Sequence, residues 1–407
     1  MPRAGQVKPP LGERLSDRIA IGLLTATFPP ELVDRVVAEA GRTQQRSRLL
    51  PARVVVYYVL AMCLFFGQGY EEVARLLTEG LGWARRWRGS WQVPTTAAIT
   101  RARVRLGPEP IKALFAAVCR PVATPATVGA FYRGWRLVAV DGTTFDLPDT
   151  VSNVDFFGRP GSGRGSGAYP QARVTAMAEC GTHAIFAATT GPLATGETVL
   201  AQRLFPALGP GMLLLADRGF LGFDLWREAT ATGADLLWRV KSVAVLPVIE
   251  QLPDGSYRSH IFAARDRRHT DPIAVRVVEY TMPGQATVYR LITTILDPAA
   301  APALDLAALY TQRWEIETSL DELKTHQGQP GMVLRSQTPT GVEQEIYGFL
   351  LVHYAVRTLM HHAATGADID PDRVSFTRTL RLVRRQVTTQ AAFSPLTTDP
   401  RPPPSHP

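Results

Sequence analysis

The amino-acid sequence predicts an α/β fold that is preceded by an all-helical N-terminal domain and interrupted by a β-rich insertion. Residues 135–140 and 211–216 are short, near-continuous apolar runs, the pattern of strands buried on both faces. Each run gives way to an aspartate with a glycine close behind, Asp141-Gly142 and Asp217-Arg218-Gly219. Residues 1–125 instead carry helical apolar periodicity and no strand alternation. Finally, 99 residues separate Asp217 from Glu317, far more than one strand and one helix need. Within that interval residues 243–283 are β-prone, with turns at Pro253-Asp254-Gly255 and Pro283-Gly284.

Taken in order, helices are expected over residues 31–40, 51–66, 70–77, 95–106 and 110–119. The apolar run 54–66 is shorter than the roughly 20 residues that cross a bilayer, so it is read as a buried helix. The N-terminus lacks the apolar core of a signal peptide. Residues 95–106 carry Arg101, Arg103 and Arg105, which suit either a DNA-reading helix or a packing helix with a solvated basic face. The segment joining it to residues 70–77 is longer than a helix-turn-helix turn.

Beyond the first apolar strand, the Gly-rich tract 158–167 lacks the Lys-Ser/Thr ending of a phosphate-binding loop, so it reads as a flexible loop bearing Arg159 and Arg164. Residues 235–238 form another strand, after which Arg239 and Lys241, two apart, project from one face as candidate phosphate contacts. Tyr289 lies in a strand-like stretch, 288–292. His361-His362 lacks the spacing and the companion glutamate of a zinc helix. A basic helix follows over 374–386, with Arg378, Arg381, Arg384 and Arg385 placed to meet DNA or a second subunit. The Pro-rich stretch 397–407 is expected to be disordered. The organisation is therefore a helical domain, 1–125; a central domain, 130–242 with 287–365; the insertion, 243–286; and a C-terminal segment, 366–407.

The 407 residues allow several domains and an ample core, and the net charge of +8 favours a polyanionic partner. Arg greatly outnumbers Lys, which suits bidentate phosphate contact but also follows from GC-rich coding. Cys63, Cys119 and Cys180 stand apart in apolar or small-residue contexts. They indicate neither a disulfide framework nor a zinc site, and fit a reducing cytoplasm.

The chemistry is concentrated in residues 304–326, which hold no Pro or Gly and repeat leucine and isoleucine at helical spacing. Tyr310, Arg313, Glu317 and Lys324 are spaced by three, four and seven, so on a helix they share a stripe roughly 60° wide. Glu315 and Glu322 are expected to point the other way, into solvent. Glu317 borders the apolar stripe and can meet residues at the ends of core strands, where open α/β sheets bind ligands. Asp141 and Asp217 are read as such strand-end residues, each followed by a turn glycine. Three carboxylates without His or Cys suit Mg²⁺ or Mn²⁺, and a paired-metal site suits a phosphodiester. Asp321, near the same face, is the nearest alternative to Glu317.

These residues also carry a resemblance. The Tyr310, Arg313, Glu317, Lys324 spacing is similar to the YREK signature of the DDE transposases of the insertion sequence four family. Asp141 and Asp217 resemble its two aspartate motifs, in the family's order and over most of the chain. The resemblance implies a ribonuclease H-like catalytic domain in which Asp141, Asp217 and Glu317 hold two Mg²⁺ ions, replaceable by Mn²⁺, about 4 Å apart. It implies a homodimer on double-stranded DNA, with the N-terminal domain reading the terminal inverted repeats. Cut-and-paste movement into target DNA follows, through a hairpin or another second-strand route. Tyr310, Arg313 and Lys324 would then face DNA phosphates, with Arg239 and Lys241 beside them. Tyr289, 21 positions before Tyr310, would stack on an extruded base. A DDE nuclease that no longer transposes, or an inactive DNA-binding regulator on the same fold, would share these features.

Overall fold

The computed structural model describes residues 22–44, 50–79, 93–162, 165–266, 268–281 and 287–386. Arg164 and the 397–407 tail, for which a loop position and disorder were expected, lie outside the described residues. The chain divides into two compact units: residues 1–114 with 377–407, and residues 115–376.

The first unit is helical. Its described elements are α1 (Gly22–Thr27), α2 (Pro30–Glu39), α3 (Ala52–Leu64), α4 (Tyr70–Glu79), α5 (Thr96–Leu106) and the start of α6 (Glu109–Val118). Helix α3 is apolar on every side and buried throughout apart from Arg53, because α2, α4 and α5 pack around it. Two tyrosines on it bury their rings and spend their hydroxyls on backbone carbonyls, Tyr57 on Phe28 at 2.5 Å and Tyr58 on Tyr70 at 2.9 Å. Thr95 caps α5 by accepting the Ala98 N–H at 3.3 Å. Of the arginines on α5, Arg103 is buried and donates to the Tyr70 hydroxyl at 2.9 Å, which makes it a packing residue. Among the described residues no helix is long and apolar enough to cross a membrane.

The second unit is a mixed α/β body built on one large sheet. Along the chain come β1 (Phe131–Tyr132), β2 (Trp135–Asp146), α7 (Val151–Phe157), the short hairpin β3 (Gly161–Ser162) and β4 (Gly165–Ser166), β5 (Gln171–Glu179) and β6 (Ile185–Pro192). Then follow α8 (Glu197–Gln202), β7 (Met212–Ala216), α9 (Phe223–Ala231), β8 (Asp235–Arg239), β9 (Glu250–Gln251), β10 (Tyr257–Ile261), β11 (Ile273–Thr281) and β12 (Val288–Thr293). The last elements are α10 (Ala303–Leu309), α11 (Trp314–Asp321), α12 (Pro339–Ala367) and α13 (Phe376–Gln386), which continues into the first unit.

The sheet order is β6-β5-β2-β7-β8-β12-β11-β10-β9, with β1 folded back on β2. Strands β2, β7 and β8 are parallel, and the rest pair antiparallel. Residues 137–140 of β2 and 213–216 of β7 are buried, and Trp226 of α9 meets Trp238 of β8 edge to face at 5.1 Å. The strands of 250–281 extend this same sheet outward from β12. Buried Arg276 ties them in, donating to Asp254 at 2.5 Å, Ser256 at 2.8 Å and the Ala301 carbonyl at 2.7 Å.

Three local expectations are corrected. Strand β2 does not stop at Asp141 but runs on to Asp146. Only its parallel pairing with β7 stops, at Val140 opposite Ala216, while pairing with β5 continues. Residues 304–326 are not one regular helix: α10 is followed by a 3₁₀ turn over Tyr310–Arg313, then α11, then a π-helical segment over Glu322–Gly328. Lastly, Glu315 and Glu322 do not face solvent. Glu322 is buried and Glu315 is mostly covered, each against partners distant in sequence, described below.

Candidate active site

Asp141 sits in β2 where the neighbouring strand β7 has ended, so its carboxylate reaches the open margin of the sheet. Its Oδ1 accepts the Gly142 N–H at 2.8 Å. Burial pushes this carboxyl up to about 6; the Gly142 N–H and Arg313 oppose the shift, whereas Glu317 and Glu197 add to it. Glu197 was not foreseen. It opens α8, pairs with Arg173 at 3.5 Å and lies against Gly142, where an added Cβ would run into its carboxylate. Gly142 therefore gives room within a strand and does not make a turn, which corrects the expected turn role.

Arg313 is the centre of the arrangement and is only 4% exposed. Its Nη1 donates to Glu317 Oε1 at 2.7 Å and lies 3.8 Å from Asp141 Oδ2. The negative charge of Asp217 also acts on this guanidinium. The 3₁₀ turn and α11 thus aim Arg313 and Glu317 at the margin of β2. Lys324, on the π-helical segment, reaches the same strand, donating to Thr143 Oγ1 at 3.3 Å.

Asp217 directly follows β7. Its Oδ1 is buried and accepts no hydrogen bond, with Arg239 Nη1 at 3.8 Å. Tyr310 is buried too, and its hydroxyl donates to the Ala216 carbonyl at 3.1 Å, pinning the end of β7 beside Asp217. Arg239 lies over the ring of Tyr289 at 4.7 Å, and that ring stacks on Tyr280 at 5.4 Å. Lys241 is exposed beyond the end of β8, so it does not share a strand face with Arg239.

The three expected carboxylates therefore gather around Arg313 and Arg239, and do not form a trio with ligand atoms within 4.8 Å of one another. Asp321 is exposed and accepts from Thr325 at 2.6 Å, away from this group. Trp314 is 59% exposed, with the Arg313 guanidinium 4.6 Å from its ring. Its sequence position does not single it out, because an aromatic at helical spacing ordinarily reads as core. His361 is buried with its Nε2 3.1 Å from the Thr127 hydroxyl, a packing role. Arg159 is held by Asp149 and by the Gly167 and Ala168 carbonyls at 3.2 and 2.7 Å.

The opposite face of α11 is anchored by a network that the periodicity misassigned. Glu315 accepts the Gly181 N–H, and burial pushes its carboxyl up to about 8. Glu322 is gripped by Arg357, whose Nε donates to Oε2 at 2.8 Å, and lies 3.1 Å from His353 Nε2.

Comparisons with known proteins bear on this geometry. Residues 18–116 match the family model described as insertion element 4 transposase N-terminal, and residues 133–354 match the transposase DDE domain. The chain is 28% identical over 374 residues to transposase InsG for insertion sequence element IS4 of Escherichia coli (strain K12), covering 90% of this chain and 83% of that one. It is 24% identical over 217 residues to putative transposase InsZ of the same organism, covering 53% and 70%. Among solved structures it is similar to the piggyBac transposase synaptic complex with hairpin DNA, at TM-score 0.48 and 12% identity, covering 90% and 79%. With more than half of its length matched to the DDE domain behind the matching N-terminal module, the chain belongs to the DDE transposases of the insertion sequence four family.

Proposed function

We propose that this transposase moves an insertion sequence by binding its terminal inverted repeats and cutting and joining DNA strands, with Asp141, Asp217 and Glu317 as the catalytic carboxylates. The observation that carries the assignment is the convergence of these groups on Arg313, 2.7 Å from Glu317 and 3.8 Å from Asp141. The donor set suits a hard divalent cation. All ligands are carboxylate oxygens, Asp217 Oδ1 is buried without a hydrogen bond, and Asp141 is crowded by the charges of Glu317 and Glu197. Bound there, two Mg²⁺ ions would activate the attacking oxygen and steady the leaving one.

The chain's own residues supply the rest. Arg313 and Lys324 bring positive charge to oxygens of the scissile phosphate, where negative charge grows during transfer. Tyr310 fixes the end of β7 and thereby Asp217. Exposed Trp314 offers a ring face to an unpaired base, and Tyr289, packed on Tyr280, takes one where Arg239 moves off its ring. In the first step water attacks phosphorus and the 3′-oxygen leaves; the freed 3′-hydroxyl then attacks the opposite strand or target DNA. Strand order β6-β5-β2-β7-β8, with β2, β7 and β8 parallel, supports a ribonuclease H-like core. The helical unit is assigned to end recognition, and the working form on DNA to a homodimer.

The test is Asp141→Ala. Cleavage of an end-bearing duplex under Mg²⁺ should vanish while binding to that duplex persists. Substantial residual nicking would remove Asp141 from the site.

A further inference from the structure

We propose that His183, Glu315 and Asp372 form a second divalent-cation site, of the zinc or manganese class, on the face of α11 opposite Glu317. The three residues come from separate segments: the turn after β5, the first turn of α11, and the 3₁₀ turn Pro371–Arg373 that follows α12. His183 Nε2 lies 3.2 Å from Asp372 Oδ1 and 3.6 Å from Glu315 Oε2, and the three ligand atoms all fall within 4.8 Å of one another. A tetrahedral ion with bonds of about 2.0–2.2 Å keeps its ligand atoms roughly 3.3–3.6 Å apart, close to this spacing. One imidazole nitrogen and two carboxylates suit Zn²⁺ or Mn²⁺ better than Mg²⁺.

The histidine is the independent pointer. His183 is 6% exposed, its φ is +57°, and its Nε2 is buried with no hydrogen-bond partner while aimed between the two carboxylates. Its other nitrogen, Nδ1, accepts from Arg357 Nη2, so the imidazole is neutral. Arg357 in turn is matched by Glu322, which leaves Asp372, and Glu315 once a cation displaces its proton, without a full counter-charge. The Asp372 side chain is 46% exposed, which gives an ion a way in. Ligation at Nε2 requires the other tautomer, with the proton moved to Nδ1. Two donors cannot face each other, so Arg357 Nη2 must then turn away from Nδ1 and rest on Glu322 alone, both of whose oxygens it already holds. A cation here would clamp α11, two residues from Glu317, to the turn at Gly181 and to the segment beyond α12.

The experiment uses the full chain with the catalytic carboxylates removed (Asp141→Asn, Asp217→Asn, Glu317→Gln), stripped of metal and titrated with Zn²⁺ and, separately, Mn²⁺ by calorimetry. One equivalent of at least one ion should still bind and should raise the melting temperature. Adding Asp372→Asn, at a half-exposed position and with folding checked by circular dichroism, or His183→Ala should abolish both effects. Absence of that equivalent, or its survival unchanged in the Asp372→Asn protein, would overturn the proposal.

Discussion

Replacing Glu322 by alanine isolates what the buried anchor behind α11 contributes. The glutamate and Arg357 are both almost wholly buried and share two charge-assisted contacts, and His353 stands 3.1 Å from the same carboxylate. Removing one partner strands the guanidinium in a medium that cannot solvate it, a cost of about 3–5 kcal/mol. For a unit of this size that corresponds to a fall in melting temperature on the order of 10 °C. Substituting both partners, Glu322→Met with Arg357→Met, should recover much of the loss, because no uncompensated charge remains.

The pH dependence supplies a second reading of the same change. Burial pushes the Glu322 carboxyl upward, but the His353 hydrogen bond and the charge of Arg357 outweigh it and hold the group below its ordinary 4.5. A depressed carboxyl stabilises the fold above its unfolded value and loses that contribution as pH falls through the folded value. The gap between wild type and Glu322→Ala should therefore be full near pH 7 and shrink in acid below about 4.5. Scanning calorimetry from pH 7 to pH 4 measures it. A loss of under about 2 °C, or a double variant no better than the single one, would refute the account.

Other substitutions test the site directly. Arg313→Gln should lower the cleavage rate on end-bearing DNA by about 10²–10³-fold while end affinity changes little, and an equal loss in both would show a binding role instead. Tyr289→Ala should weaken stacking on an unpaired base by about 1–3 kcal/mol, read as 2-aminopurine fluorescence near the DNA end; an unchanged signal would assign the tyrosine to the strand alone. Gly181→Ala places a Cβ against the Val128 carbonyl at φ +76°, so soluble yield and melting temperature should both drop. An unaffected protein would mean the turn can relax.

The sequence made Asp141, Asp217, Arg313 and Glu317 legible because their signals are local. An acidic residue ending an apolar run, and polar residues three and four apart, need no knowledge of distant partners. What it missed depended on such partners. Glu315 and Glu322 look like a solvated face until Gly181, His353 and Arg357, up to 134 residues away, are brought against them. The departure from regular helix at the 3₁₀ turn and the π-helical segment leaves hydropathy unchanged, so no window could register it. Asp141 was placed at a strand end because its own apolar run stops there; the strand persists since β5 supplies the hydrogen-bonding edge that β7 no longer does. Glu197 gave no local sign, its place depending on Arg173 and on the room left by Gly142.

The 250–281 strands join the sheet through β12 and are braced by the segment from Ala301 into α10, at the far margin from β2 and β5. Length or sequence changes out at β9 and β10 can therefore reshape whatever that rim touches without disturbing the register between β2 and β7. Beside that quiet junction, Arg239 and Tyr289 bridge β8 and β12, one strand removed from Asp217. The architecture thus separates the outer margin of the sheet from the seam between β2 and β7 beside which Asp141 and Asp217 lie.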